Sequence, residues 1–431
     1  MGAGRAARTV ARVSLTSLLC FALASLFAVE LRYAAALSGL ASVPQAEAAE
    51  GPGQDRSSQT VRSYAVEVEY CSEAVAASGT GNSSGRTSTT LAFDDAWLLA
   101  GDPTQYNHGL ATACAVIAAV CNSESQFYGG IEGAEPYAEQ ALAQIGFTDV
   151  RTDSYRLRSS VLDQVGALVY GSHDVVAYTF ASKRVDGETI VLVGIRGSYG
   201  CEWVSNFKLF GEDGHAGFEA AEAEVADMLA RYLDELGADP AHTRILITGH
   251  SRGGAVANLL AADLDERAGG EGALVSAKGI FAYTFAAPNT TRESDRSQAR
   301  YGNVFNVANP ADIVPDLPLS QWGYGRYGVT VELPRADGEG FEAQYAAMTD
   351  AYAANTTCAY PADADALAAL ERFGDAADQV LSLEALADPW GAVLSAGTLA
   401  GIDYTQAPTA HYPDSYIAWM QSLTAADVAC G

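Results

Sequence analysis

Lysine is nearly missing from this sequence: Lys183, Lys208 and Lys278 are the only three among 431 residues, and every other basic residue is arginine. Lysine and arginine together number 25 against 53 aspartates and glutamates, a formal net charge of −28. That balance leaves nothing to neutralise phosphates and excludes nucleic acid as a partner. It equally excludes electrostatic docking on anionic lipid, so any lipid contact must be apolar. Histidine is scarce as well, with six copies. No pair of cysteines has zinc-ligand spacing with a histidine nearby, so neither a metal site nor a cofactor is expected. Charged residues make up only 18% of the chain and hydrophobic ones 49%. Such a composition describes a globular chain with a large core, long enough for one large α/β domain with additions or two domains of ordinary size.

The first residues read as an export segment. Arg5, Arg8 and Arg12 precede an apolar run from Val13 to Val29, and Ala46-Glu47-Ala48 supplies a small-x-small cleavage site. The run is long for a signal core and the cleavage site lies well downstream. Residues 1–48 therefore read as a signal peptide or an uncleaved N-terminal anchor. Either reading puts the remainder outside the cytoplasm, secreted or extracytoplasmic. Without Cys20 the chain keeps Cys71, Cys114, Cys121, Cys201, Cys358 and Cys430, an even number that permits three disulfides. Cys114 and Cys121 fall on one expected helix, about 10 Å apart along its axis, too far to bond to each other.

Residues 49–93 read as a flexible segment with one strand. Tyr64, Val66, Val68 and Tyr70 alternate with polar residues, which suits a half-buried strand, while Ser72 to Thr90 is a Gly/Ser/Thr-rich linker. Residues 94–431 read as one domain that opens with a helical region, 94–158. Strands follow at Val175 to Phe180 and Thr189 to Ile195, separated by an Asp186-Gly187 turn. Helix is expected from Phe218 to Leu236 and from Arg252 to Arg267, and strand at Arg244 to Thr248, Gly279 to Phe285, Asn303 to Val307 and Arg326 to Leu333. This alternation predicts a mostly parallel sheet flanked by helices. An Ala-rich helical insertion, 340–398, precedes the C-terminal segment.

Gly249-His250-Ser251-Arg252-Gly253 matches G-x-S-x-G, and so does Gly81-Asn82-Ser83-Ser84-Gly85. The second copy has no strand before it and no helix after it, and it is set aside. The first follows a buried-type strand and opens a helix, the context that holds a serine in a strained turn with its hydroxyl exposed. The N–H of Arg252, at the helix start, can face a developing oxyanion. A serine needs a base oriented by a carboxylate. In the order serine, acid, histidine, only His411 follows Ser251, so His411 is the expected base. Asp312, after the strand ending at Val307, is the expected acid, with Asp316 as the alternative. A second oxyanion donor is expected after Ile195, at Ser198. Trp203, Phe207 and Phe210 form an apolar helical stripe, read as a lid over an acyl site or as a core-facing helix face. His108, His173 and His242 read as polar surface or turn residues, and His250 as a packing residue of the elbow.

Taken together, these residues resemble the class 3 (fungal-type) lipase family of the α/β-hydrolases. The resemblance runs through Gly194-Ile195-Arg196-Gly197-Ser198 with Trp203, His215-Ala216-Gly217-Phe218 and Ile247 to Gly254. It continues through Tyr283-Thr284-Phe285-Ala286-Ala287-Pro288, Asn309-Pro310-Ala311-Asp312-Ile313-Val314-Pro315 and His411. It implies an α/β-hydrolase-like fold and hydrolysis of acylglycerol esters. It assigns nucleophile, acid and base to Ser251, Asp312 and His411, and oxyanion donors to Ser198 and Arg252. It favours Asp312 over Asp316. Phospholipids or short soluble esters are the alternative substrates, a peptidase or thioesterase the alternative chemistry, and a non-catalytic surface-binding module the alternative role. The helical N-terminal region and the insertion lie outside the family's core.

Overall fold

The computed structural model describes residues 58–77, 85–123, 136–152, 176–197, 216–380 and 407–430. The export segment, the Ser83 motif, Ser198, the stripe Trp203, Phe207 and Phe210, Cys201 and His173 lie outside the described residues.

Strands β1 (Ser63–Cys71) and β2 (Arg86–Asp94) form an antiparallel hairpin with Ser63 opposite Asp94 and Cys71 opposite Arg86. A short helix, α1 (Glu73–Ala77), follows β1. The expected alternation holds in β1, where Val68 and Tyr70 are buried. Arg86 to Thr90, expected as linker, is strand instead. Thr89, Leu91 and Phe93 face inward from β2 at a period of two, and β-branched threonine suits a pleated, half-buried surface. The strand also crosses the expected boundary between 93 and 94.

The 94–158 region begins with α2 (Ala96–Leu99), α3 (His108–Asn122) and α4 (Tyr137–Gln144). Asn107 caps α3, its side chain accepting from Leu110 N at 3.0 Å. From Leu110 to Cys121 every residue of α3 except Thr112 is buried, as a helix apolar on all sides must be.

A short β3 (Arg151–Thr152) pairs with β4 (Tyr178–Val185), which turns through Asp186-Gly187 into β5 (Glu188–Ile195). Both turn residues have positive φ, 49° and 89°, the geometry that lets a two-residue loop match strand twist. Then follow α5 (Ala216–Leu236), β6 (Thr243–His250), α6 (Arg252–Arg267), β7 (Ile280–Phe285), β8 (Val304–Ala308) and β9 (Val329–Glu332). Helices α7 (Phe341–Thr356) and α8 (Ala364–Val380) occupy the expected insertion. The chain closes with α9 (Ala407–His411), α10 (Pro413–Ser422) and β10 (Ala429–Cys430).

The eight-stranded sheet has the order β10-β9-β8-β7-β6-β5-β4-β3, with β5 through β9 parallel and the edge pairings antiparallel. This is the mostly parallel, helix-flanked α/β sheet read from the sequence. Alternate residues of the central strands feed opposite cores. Ile190, Leu192, Leu246 and Phe281 pack toward α3 and α10, whereas Val191, Val193, Ile245 and Ile247 pack toward α5 and α6.

One buried charge ties the hairpin to the sheet. Lys183 of β4 places Nζ 2.5 Å from Asp95 Oδ1 and 2.7 Å from the Ile145 carbonyl. The rings of Tyr64, Phe93 and Phe147 surround it at 4.8, 4.7 and 4.5 Å. Burial lowers the Lys183 pKa, and Asp95 opposes that shift.

No disulfide joins any two of Cys71, Cys114, Cys121, Cys358 and Cys430, so the three bridges that six cysteines permit are not formed among the described residues. Cys114 and Cys121 do not bond to each other, as their spacing predicts. Both are buried in α3 against the sheet, Cys114 beside Thr248 and Cys121 against Gly194. Among the described residues no helix is long and apolar enough to cross a membrane.

Candidate active site

Strand β6 delivers the chain to Ser251 along a buried path, and α6 begins at the next residue. Ser251 has φ 57° and ψ −126°, a conformation that costs a side-chain-bearing residue of order 1–3 kcal/mol and persists only where the surroundings enforce it. The enforcement is visible. Ser251 N donates to Phe285 O at 2.9 Å, and Ala255 N donates to Ser251 O at 3.0 Å. The flanking glycines are sterically required. A Cβ at Gly249 would sit 2.4 Å from Gly253 O, and one at Gly253 would sit 2.2 Å from Ile195 O.

His411 ends α9. Its Nε2 lies 3.0 Å from Ser251 Oγ and its Nδ1 lies 2.8 Å from Asp312 Oδ2. A carboxylate can only accept, so the pairing fixes the proton on Nδ1 and leaves the Nε2 lone pair to accept the Ser251 hydroxyl. All three side chains are at least nine-tenths buried.

Asp312 hangs from the loop after β8. Its backbone N–H donates to Asn309 O at 2.9 Å, and Asp312 Oδ1 accepts from Val314 N at 3.0 Å. Oδ2 accepts a second bond from the Tyr416 hydroxyl of α10 at 2.8 Å. Asn309 donates from Nδ2 to Ala410 O at 3.0 Å, tying the acid's loop to the residue before His411. Asp316, the alternative acid, sits in a one-turn 3₁₀ helix, Val314–Asp316, beyond this cluster. The structure therefore joins Asp312, not Asp316, to His411.

Arg252 occupies the first position of α6, where the backbone N–H has no intrahelical acceptor and the helix dipole favours negative charge. Its side chain is buried, and Nε and Nη2 meet no hydrogen-bond partner among the described residues. The positive end of the α6 dipole thus starts beside the serine.

Several contributors escaped the sequence reading. His250 does more than pack: its Nε2 lies 2.7 Å from the His411 carbonyl, and the two rings stand 4.9 Å apart. Burial, and then the neighbouring His411, hold its pKa well below the usual histidine value, so it stays neutral and donates to that carbonyl. Asn122, the last residue of α3, accepts from Gly197 N at 2.8 Å. Tyr416 and Asn309 brace the acid. His242 is exposed against Glu188, as expected. His108 is half-buried instead of on the surface, with Nε2 2.9 Å from Met420 O and Nδ1 3.1 Å from the Tyr106 hydroxyl. Among the described residues no group of acidic, histidine or cysteine side chains could hold a metal ion.

The family Lipase (class 3) matches residues 193–322, a span that contains Ser251 and Asp312 but not His411. A lipase of Rhizomucor miehei is 30% identical over 172 residues, covering 36% of this chain and 44% of that protein. The secreted mono- and diacylglycerol lipase A of Penicillium cyclopium is 33% identical over 147 residues, covering 31% of this chain and 45% of that protein. Among solved structures, a triacylglycerol lipase with a serine-protease triad as its catalytic centre is 26% identical. That match covers 37% of this chain and 63% of that one, with a TM-score of 0.30. The chain thus spans less than half the length of the curated relatives it matches. The match to the class 3 lipase family thus spans residues 193–322, a stretch carried on the mostly parallel, helix-flanked sheet.

Proposed function

We propose that the chain is an exported serine carboxylic-ester hydrolase acting on acylglycerols, with Ser251, His411 and Asp312 as nucleophile, base and acid. The observation that carries the reading is the unbroken hydrogen-bond chain from Ser251 Oγ through His411 to Asp312 Oδ2, at 3.0 and 2.8 Å. Ser251 Oγ attacks the ester carbonyl as His411 Nε2 takes the hydroxyl proton, and a tetrahedral oxyanion forms. The N–H groups of Arg252 and Ser198 stabilise that oxyanion. His411 then passes its proton to the departing alcohol, the C–O bond breaks, and an acyl-serine remains. Water attacks the acyl group with His411 again as base, releasing the carboxylic acid. Asp312 holds the His411 ring through Nδ1 and stabilises the imidazolium.

Acylglycerol specificity draws on the relatives, one of which is a secreted mono- and diacylglycerol lipase. Export draws on the N-terminal sequence and on that relative. Trp203, Phe207 and Phe210 would cover the acyl chain and meet a lipid interface through apolar contact.

The test is covalent labelling by a fluorophosphonate, with the modified residue located by peptide mass spectrometry. Labelling is expected at Ser251 and is abolished in Ser251→Ala. Ester turnover should fall at least about 10⁴-fold in Ser251→Ala and in His411→Ala. A folded wild-type protein that neither labels nor hydrolyses any ester, with or without detergent, sinks the hydrolase reading. Turnover of phospholipid or short soluble esters in preference to matched acylglycerols would reassign the substrate.

A further inference from the structure

The segment shared with class 3 lipases stops short of the groups that hold the Ser251 site from behind. The hairpin, α3 and the His411 segment all lie outside residues 193–322. They are nevertheless joined to one another by hydrogen bonds, linked through adjacent backbone residues, that begin beside His411 and end beside Ser251.

Asp414, three residues after His411, is 1% exposed at the start of α10. Both its carboxylate oxygens are taken by β1 and the residue after it: Oδ1 accepts from the Tyr70 hydroxyl at 2.7 Å and Oδ2 from Ser72 Oγ at 2.8 Å. Between those two donors, Cys71 N donates to Ser123 Oγ at 2.9 Å. Ser123 follows Asn122, whose Oδ1 accepts from Gly197 N at 2.8 Å. Gly197 in turn lies against the nucleophile elbow. A Cβ there would sit 2.9 Å from the His250 carbonyl and 3.6 Å from Ser251 Cβ. Immediately before Asn122, Cys121 is pressed on β5 so closely that a Cβ at Gly194 would sit 2.4 Å from its Sγ.

We infer that Asn122 and Asp414 are positioning residues of the Ser251 site, and that β1 and the C-terminal end of α3 form a brace setting the distance between the His411 segment and the Gly197 peptide. The role rests on the ester-hydrolase reading above. Its physical content is specific. Neither side chain touches the reacting atoms, yet each fixes a backbone segment within one to three residues of a group that must stay aligned through the proton transfer. Displacement of such a group by about 1 Å can cost on the order of a hundredfold in rate. Asp414 is suited to the task because both its oxygens are occupied by buried hydroxyls, which leaves α10 one orientation against the hairpin. Asn122 is suited because its amide oxygen consumes the Gly197 N–H, so the peptide beside Ser251 cannot rotate freely.

The experiment compares the full chain with Asn122→Ala, Asp414→Asn and the milder Ser72→Ala, using a short soluble ester. Lys183→Met, which disturbs the hairpin at its Tyr64 and Phe93 end, away from Tyr70 and Ser72, serves as control, and melting temperature is followed throughout. The brace predicts that Asn122→Ala and Asp414→Asn lower kcat by about tenfold to a hundredfold while KM stays within about twofold. Ser72→Ala should give a smaller fall in kcat in the same direction. Lys183→Met should lose thermal stability and keep its kcat below the melting transition. If Asp414→Asn fails to fold, Asn122→Ala and Ser72→Ala carry the test. Wild-type kcat in both, or a fall no larger than that of Lys183→Met, overturns the inference while the hydrolase reading stands. A folded wild type without any ester turnover overturns both.

Discussion

Asp312 Oδ2 receives two donors, His411 Nδ1 and the Tyr416 hydroxyl, each at 2.8 Å. The tyrosine bond is charge-assisted and buried, and such bonds contribute about 1.5–3 kcal/mol. Tyr416→Phe keeps the ring's packing against Phe285 and His250 and removes only that donor and the contact to Asn309 N. We predict a loss in kcat of about tenfold with little change in KM, read by steady-state kinetics on a soluble ester. An unchanged kcat would mean that the acid is held adequately by Val314 N and Asn309. At this scale, Ser251 was legible because its motif sits between a strand and a helix, and His411 because no other histidine follows the serine. Tyr416 and Asn122 were not. They act on Asp312 and Gly197 across 104 and 75 positions of sequence, and nothing local to either residue marks the contact.

Elements explain why the elbow tolerates so little change. Gly249 and Gly253 bring β6 and α6 together backbone to backbone, with a Cβ at Gly249 reaching 2.4 Å from one carbonyl oxygen and 2.5 Å from its carbon. No flexible side chain stands there to yield. We therefore expect Gly249→Ala to destabilise the fold by about 3 kcal/mol or more and to remove fluorophosphonate labelling together with it. Chemical denaturation measures the first effect, and a variant as stable as wild type would show that the elbow relaxes. The central strands and α6 could be read from the sequence because periodicity and length agree there. Strand β2 could not. Thr87, Thr89, Leu91 and Phe93 carry a period of two, but they sit beside a Gly- and Ser-rich stretch whose composition imitates a linker. Only the pairing with β1, Val68 opposite Thr89 and Val66 opposite Leu91, reveals the strand. Likewise α3 shows little amphipathic signal precisely placed for prediction of its packing, because it is covered on every side.

The molecule as a whole carries an acidic surplus of 28 charges, and some of its carboxyls are held where ionisation is costly. Glu222 of α5 is pushed up to about 7, first by burial and then by Asp263, with Arg267 opposing. Burial also pushes Asp265 of α6 up to about 7, against the hydrogen bond from Asn303 and the charge of Arg300. In the unfolded chain both groups titrate near about 4. Between that range and neutrality the folded protein therefore binds protons that the unfolded chain has released, so stability falls as pH rises through this window. Self-repulsion among the acidic residues has the same sign. We predict that the melting temperature rises on acidification from about pH 8 to about pH 6. Glu222→Gln combined with Asp265→Asn should flatten that rise and raise the melting temperature at the alkaline end. A melting temperature that falls over the same interval would contradict the assignment. The parallel α/β architecture was legible at this scale from the alternation of strands and helices. The hairpin's union with the domain was not, because it depends on contacts far apart in sequence, Lys183 with Asp95 across 88 positions and Tyr70 with Asp414 across 344.

That lysine also bears on how the chain spells its positive charge. Elsewhere arginine is used almost without exception, a bias of composition indifferent to chemistry. At position 183 the enclosure offers two acceptors, Asp95 Oδ1 and the Ile145 carbonyl, and three aromatic rings. A compact ammonium fits that inventory, whereas a planar guanidinium would arrive with five N–H donors and no means of shedding its charge. The usual exchange of one basic residue for the other is thereby closed at this site, where the hairpin meets the sheet.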